Sequence, residues 1–256
     1  MSELSPDLPS LAAAEATASE PLQFATKLAY GAGDLGAAMT TNVLVFFLLY
    51  FFTNVAGLPA GLAGTVLAIG KISDAINDPI LGIMSDRTQS RWGRRIPWML
   101  GGALPFSLLF LAQWWVPQFS ADPQLNLWLL FAYYVTVGVF FNLAYTAVNL
   151  PYTALTPELT EDYNERTSLN SYRMAFSIGG SILSLLLAQV VFHVYRDAPL
   201  TQYFVLGCIC SLLSLVATIW CTLRIQERGG ATFLEPSSKT AAGAVRTGQW
   251  CGAAVG

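Results

Sequence analysis

Apolar residues are grouped along this chain in six long runs, separated by short polar segments. The runs cover residues 26–52, 59–84, 97–117, 125–150, 168–194 and 200–223. Each run reaches the roughly 20 residues that an α-helix needs to cross about 30 Å of hydrocarbon. The pattern predicts an all-α integral membrane protein with six transmembrane helices.

Polar segments flank the six runs on both sides. Residues 1–25 are rich in Ala, Ser and acidic residues, and they lack the basic start and apolar stretch of a signal peptide. Residues 227–256 are polar and rich in Gly and Ala. We therefore expect one transmembrane bundle over residues 26–226, with a disordered tail on either side.

The composition agrees with a membrane protein. Hydrophobic residues make up 54% of the chain and charged residues 11%, whereas soluble domains carry about 25% charged residues. The formal net charge is −3, and no basic patch suits a nucleic acid. The four cysteines lack the spacing of a metal site, and we interpret them as small apolar residues: Cys208, Cys210, Cys221 and Cys251.

The basic residues predict the orientation. Of the 13 Lys and Arg residues, ten fall on one side of the spans: Lys27, Arg87, Arg91, Arg94, Arg95, Arg166, Arg224, Arg228, Lys239 and Arg246. Arg196 falls on the other side, while Lys71 and Arg173 lie within spans. Cytoplasmic loops carry the excess of Lys and Arg. We therefore expect both termini and the loops at 85–96 and 151–167 in the cytoplasm.

Two aspartates interrupt the second apolar run. Asp74 and Asp78 lie four residues apart, which places their carboxylates one turn apart on one helical face. A charged residue at the bilayer centre costs at least ~2.5–3.5 kcal/mol, so the pair indicates a function. Carboxylate and amide oxygens, here with Asn77, suit a small hard cation. In an alternative interpretation, Lys71 only neutralises Asp74.

A cytoplasmic loop motif follows the second run. Residues 82–95, GIMSDRTQSRWGRR, resemble the G-x-x-x-D-R-x-G-R-R loop of the major facilitator superfamily, with three residues inserted before the second glycine. One acid held against several arginines can join helix ends in one conformation and release them in another. A simple basic anchor is the alternative. The predicted conformational latch consists of Gly82, Asp86, Arg87, Gly93, Arg94 and Arg95.

A narrower resemblance covers residues 27–228. The segments KISDAINDPILGIMSDRTQSRWGRRIPW and NLPYTALTPELTEDYNERTSLNSYR, together with YGAGDLG in the first run, resemble the glycoside–pentoside–hexuronide:cation symporters, which are similar to melibiose permease. The resemblance implies cation-coupled sugar transport by alternating access between two six-helix bundles. The chain would supply one such bundle, the N-terminal half, and we expect a truncated half-transporter.

The resemblance also implies the binding residues. The family's cation site falls on Asp74, Asn77, Asp78 and Thr146, an oxygen set that favours Na⁺, with Li⁺ or H⁺ as alternatives. Ala38 and Thr153 stand where galactoside-binding members carry a carboxylate and a stacking tryptophan, which argues against a galactoside. The residues that we expect to bind the solute are Arg173, Asn149, Asp34 and Tyr145. In an alternative interpretation, Asp34 is a helix-end acid near the cytoplasmic surface, close to Lys27.

Three functions stay open at this point. The first is symport of a sugar or sugar-like solute with a cation, Na⁺ favoured, in the plasma (inner) membrane. The second is a proton-coupled or lipid- or drug-like solute carrier of the same superfamily. The third is a non-transporting fragment that pairs with a second half. An enzyme is not expected, because the sequence carries no nucleophile–base pair, metal constellation or phosphate-binding loop, and no cofactor is implied.

Overall fold

The computed structural model describes residues 24–88, 90, 93–160 and 162–225. The regular structure within these ranges is helical, with six long helices: α1 (Phe24–Tyr50), α2 (Ala60–Arg87), α3 (Ile96–Ala112), α4 (Pro123–Ala154), α5 (Tyr163–Val194) and α6 (Pro199–Arg224). A short helical turn, Thr156–Leu159, joins α4 to α5. The predicted tails lie outside the described residues, apart from Phe24 and Ala25, which begin α1.

Local backbone conformation and a side-chain cap determine where several helices begin or end. A π-helical turn, Phe51–Val55, extends α1 and buries two consecutive phenylalanines, Phe51 and Phe52. Gly57, with φ of 76°, then reverses the chain, a conformation that glycine adopts without steric cost. Asp122 accepts a hydrogen bond from the Gln124 backbone N–H at 3.0 Å and so caps α4.

Within the described ranges, four helical segments are long and apolar enough to cross a membrane: Phe24–Val55, Pro123–Ala154, Tyr163–Val194 and Pro199–Arg224. The shorter apolar helix α3 has 17 residues. Helix α2 is long, but Lys71, Asp74 and Asp78 lie within it. The all-helical prediction is confirmed, whereas the count of six spans and the cytoplasmic termini stay predictions.

The helices pack in a defined order. Helix α1 contacts α5 and α6, α4 contacts α2 and α3, and α3 also contacts α6. Small residues allow close approaches, since a Cβ at Gly180 would lie 2.8 Å from the Leu35 carbonyl oxygen. Trp114 and Tyr203 stack in the core with ring centroids 5.7 Å apart. The buried core around this pair draws residues from all six long helices, including Val66 of α2 and Val191 of α5.

All six long helices expose apolar side chains, and two of the helices carry them as regular stripes. On α2 these are Ile72, Ile76 and Ile80, and on α5 they include Ile178 and Ile182. Their spacing of four residues forms one stripe along each helix. An exposed apolar stripe is costly in water and neutral against lipid or another helix, which agrees with a protein of the membrane.

Candidate functional site

The predicted cation residues lie along the contact between α2 and α4. The Thr146 hydroxyl on α4 donates a hydrogen bond of 2.9 Å to the Asp78 carboxylate on α2. The Asn142 amide, one turn earlier on α4, donates 2.9 Å to the Gly70 carbonyl oxygen. Two polar bonds therefore hold α4 against the segment of α2 that carries the aspartates.

Asp74 lies one turn before Asp78 and is more deeply buried. Lys71 contacts Asp74 Oδ2 at 3.2 Å, but the lysine side chain is 84% exposed while that of the aspartate is 25% exposed. Asp74 Oδ1 is buried and accepts no hydrogen bond from any residue that the structure describes. Exposed ion pairs contribute about 0–1 kcal/mol. The alternative interpretation of the lysine thus accounts for one carboxylate oxygen and leaves the other without a partner.

Asn77 completes the polar segment of α2. Its amide donates 2.8 Å to the Ser73 hydroxyl, which holds the side chain on its own helix. Among the described residues no three His, Cys, Asp or Glu side chains form a cluster that could hold a metal. A cation bound here would therefore rely on neutral oxygens, such as those of Asn77 and Thr146, beside the two carboxylates.

A cavity of about 420 Å³ opens between α1, α2 and α4. Its walls are mostly apolar, and Leu44, Leu48 and Phe141 contribute to them. Polar side chains line it at separate places: Thr41, Lys71, Asp74, Gln113, Asn142 and Tyr145. Asp74 therefore connects the cation residues to a space of the size that small ligands occupy, roughly 300–1,000 Å³.

The residues predicted to bind a solute fall into two groups. Asp34 on α1 and Arg173 on α5 are half-buried and within electrostatic range of each other, and Ser177 lies beside the aspartate. Arg173 also lies near the Tyr30 hydroxyl. Lys27, which the sequence placed close to Asp34, pairs with Glu165 at 2.8 Å instead.

The second group lies on α4. Tyr145 lines the large cavity and also a void of about 10 Å³ on the other side of its ring. Asn149 lines this small void, together with Gly33 and Ala37 of α1. The structure thus brings Tyr145 close to the cation residues, whereas Asn149, three positions after Thr146 on the same helix, is not among the residues that line the cavity of about 420 Å³.

The loop motif forms a polar cluster at the end of α2. Arg95, whose side chain is 12% exposed, contacts Asp86 at 3.5 Å. Gly93 has φ of 105°, a conformation that L side chains rarely adopt. Arg87 lies in the last turn of α2, and the Gly82 carbonyl oxygen accepts a hydrogen bond from the Ser85 hydroxyl. Arg94 is exposed, and residues 89, 91 and 92 lie outside the described ranges.

Sequence reasoning missed Gln113, which follows the last residue of α3. Its side chain is 3% exposed, its Nε2 atom has no hydrogen-bond partner, and it lines the same cavity as Asp74. A glutamine at the end of an apolar run is also typical of the membrane interface. The sequence signal is therefore ambiguous, and only helix packing shows that the residue is buried.

Comparisons with known proteins show the family. Residues 29–250 match the model of the family described as MFS/sugar transport protein. The "Uncharacterized symporter sll1374" of Synechocystis sp. is 60% identical over 223 residues, which are 87% of this chain and 41% of that protein. The inner membrane symporter YicJ of Escherichia coli is 31% identical, over 82% of this chain and 45% of that protein.

A third relative bears on substrate class. The putative glycoside/cation symporter YagG of Escherichia coli is 32% identical, over 84% of this chain and 45% of that protein. The chain thus spans less than half the length of these curated relatives. The comparisons confirm the resemblance predicted from the two long motifs, and they place the chain among transporters rather than enzymes. The chain is an integral, multi-pass protein of the inner membrane, and it belongs to the MFS/sugar transport protein family of the major facilitator superfamily.

Proposed function

We propose that the chain provides the cation site and part of the solute cavity of a symporter that couples Na⁺ entry to uptake of a sugar or sugar-like solute. The observation that carries this proposal is the polar contact between α2 and α4. There Thr146 bonds to Asp78 at 2.9 Å, and Asp74 keeps a buried oxygen without a partner. Transport by the family and the name of the glycoside/cation relative support the solute class.

The coupling follows from charge. Two ionised carboxylates within an apolar bundle disfavour any rearrangement that buries them further. A bound cation cancels part of that charge, so a conformational change with the solute bound becomes less costly. By linkage, a cation that raises solute affinity is itself bound more tightly when the solute is present.

The four oxygen-bearing side chains of the proposed cation site favour Na⁺ over H⁺ as the coupling ion. A proton needs a single titratable carboxylate, whereas the neutral oxygens of Asn77 and Thr146 contribute only to a coordinated ion. Solute binding is assigned to the cavity of about 420 Å³, with Tyr145 in its wall and Asp34, Arg173 and Asn149 as further expected contacts.

A second six-helix bundle is the expected partner. The exposed stripe of Ile72, Ile76 and Ile80 on α2, and that of Ile178 and Ile182 on α5, provide apolar faces for it. The contact between Asp86 and Arg95 at 3.5 Å is the proposed latch. It would form in one state of alternating access and open in the other.

Solute uptake in proteoliposomes tests the proposal. The chain is measured alone and co-expressed with the C-terminal half of the Synechocystis relative, using D-xylose, methyl β-D-glucoside and D-glucuronate. We expect Na⁺-dependent uptake of at least one probe, and its loss in Asp78→Ala. The control is Asp197→Ala, in the loop before α6. Uptake driven equally by a proton gradient without Na⁺ would refute Na⁺ coupling, and no uptake in either setting would refute the transport assignment.

A further inference from the structure

Gln113 occupies an unusual position for an amide side chain. Its backbone N–H donates to the Leu109 carbonyl oxygen at 3.3 Å, so the residue continues the last turn of α3. The side chain is 3% exposed, and Nε2 has no hydrogen-bond partner within the described part of the chain. Buried polar groups in native proteins almost always have a partner, and an exception calls for an explanation.

The explanation lies in the cavity that Gln113 lines. Asp74 lies level with Tyr145, because the residues one turn to either side of it, Gly70 and Asp78, bond to Asn142 and Thr146 of α4. Tyr134 lines the same cavity further toward the start of α4. Tyr134 donates 2.9 Å to the Trp115 carbonyl oxygen, so its end of the cavity is beside Gln113. Along α4, Tyr134 and Tyr145 are about 16 Å apart at 1.5 Å per residue. The amide and Asp74 therefore lie toward opposite ends of one elongated space.

The chemistry of the two ends differs. The unpartnered atom of Asp74 is a carboxylate oxygen, which accepts hydrogen bonds or binds a cation. The unpartnered atom of Gln113 is an amide nitrogen, which only donates. A cation does not satisfy a donor, whereas a solute oxygen does. Apolar side chains such as Phe52, Leu67 and Phe141 line the space between them, a wall that suits the C–H faces of a sugar ring.

We propose that Gln113 is a solute-binding residue, whose carboxamide donates a hydrogen bond to an oxygen of a hydroxylated solute held in the cavity between it and Asp74. This inference rests on the proposed transport function and adds a contact at the end of the cavity remote from the cation residues. The amide sets which part of the solute is recognised, because a solute without an acceptor oxygen there leaves a buried donor unpaired.

Equilibrium binding to the full chain in lipid nanodiscs tests this inference. The dissociation constants of D-xylose, methyl β-D-glucoside and D-glucuronate are measured by calorimetry at saturating Na⁺, and Na⁺ affinity is measured separately. Gln113→Leu removes the donor at similar volume. We expect a roughly ten-fold weaker solute affinity, the effect of one lost hydrogen bond, with Na⁺ affinity unchanged within two-fold. Gln189→Leu, at an exposed position on α5, is the matched control and should bind as the unmodified chain does.

Monodeoxy analogues of the best-bound probe identify the contact. For the analogue that lacks the partner hydroxyl, the unmodified chain and Gln113→Leu should bind equally. A purely structural role of Gln113 would instead weaken all analogues alike. If Gln113→Leu does not fold, Gln113→Asn keeps an amide one methylene shorter, and we expect an intermediate loss of affinity.

The outcomes separate the two proposals. Equal solute binding by the unmodified chain and Gln113→Leu would overturn the role of Gln113 and leave the symporter proposal intact. A loss of both solute and Na⁺ binding in Gln113→Leu would also overturn it, because the residue would then support the fold. If the unmodified chain binds Na⁺ but none of the probes, the solute site inferred here is wrong. If it binds neither, the proposed function fails as well.

Discussion

The hydroxyl of Thr146 offers a sharp test of the cation site. Its side chain is 5% exposed, and it donates 2.9 Å to an oxygen of Asp78. Thr146→Val removes the hydroxyl while keeping the branched shape of the side chain. A typical intramolecular hydrogen bond contributes about 0.5–1.5 kcal/mol, so we expect the free energy of unfolding to fall by about 1 kcal/mol.

Thr146→Val should change the free energy of Na⁺ binding more than it changes the free energy of unfolding. With Na⁺ bound, the hydroxyl would turn an oxygen lone pair toward the ion, and valine offers no oxygen. Hydrogen bonds and contacts to charged groups contribute about 1.5–3 kcal/mol, which corresponds to a roughly 10- to 100-fold weaker Na⁺ affinity. Thr146→Ser keeps the oxygen and should bind Na⁺ within a few-fold of the unmodified chain.

Calorimetric titration of Na⁺ into the chain in nanodiscs measures this difference. Thr136→Val is the matched control, because Thr136 lies on the same helix and bonds only to the Ala132 carbonyl oxygen of its own helix, at 2.8 Å. Unchanged Na⁺ affinity in Thr146→Val would refute the reasoning. An equal loss in the control variant would do the same, since the effect would then belong to α4 as a whole.

Three further predictions concern charge and packing. Lys71→Ala should raise Na⁺ affinity by about two- to five-fold, because an exposed amine that competes for Asp74 is removed; equal affinity in calorimetry would contradict this. Lys27 and Glu165, each 15% exposed and 2.8 Å apart, should show a coupling free energy of about 1–2 kcal/mol in a double-mutant cycle of unfolding, and additive effects would show that the pair is not coupled. Gly180→Ala should destabilise the bundle by about 1–3 kcal/mol, because the new Cβ would lie 2.8 Å from a backbone oxygen of α1. Gly179→Ala is the control, since a Cβ at that position meets nothing within 4 Å. Equal thermal unfolding midpoints for the two variants would argue against the close approach at Gly180.

Much of the fold is predictable because its signals are local. Apolar runs long enough to cross the bilayer marked all six helices, and the predicted spans overlap α1 to α6. The exception is instructive. Helix α2 carries Lys71, Asp74 and Asp78 within its apolar run, and it is not among the four helical segments whose length and mean hydropathy suit a membrane span. The same charges that weaken the span signal are those that indicate a function.

The candidate site was predictable only in part. Asp74 and Asp78 stand out because charge in an apolar run is costly wherever the helix lies. Thr146 and Arg173 were assigned to the site through resemblance to a family, because a threonine or an arginine in a span often has a purely structural role. Lys27 was expected near Asp34, but its partner is Glu165, which is 138 positions further along the chain and could not be chosen by spacing.

The sequence by itself determined that this protein is helical, that it belongs in a membrane, and that α2 carries two carboxylates on one face. These properties follow from hydropathy and helical periodicity, which depend on neighbouring residues only. The tertiary structure decided that Thr146 bonds to Asp78, that Asn149 lines a small void beside α1, and that Gln113 lies buried in the wall of the cavity of about 420 Å³. Those contacts depend on how helices rotate against one another, and rotation is set by packing over the whole bundle rather than by any single run of residues.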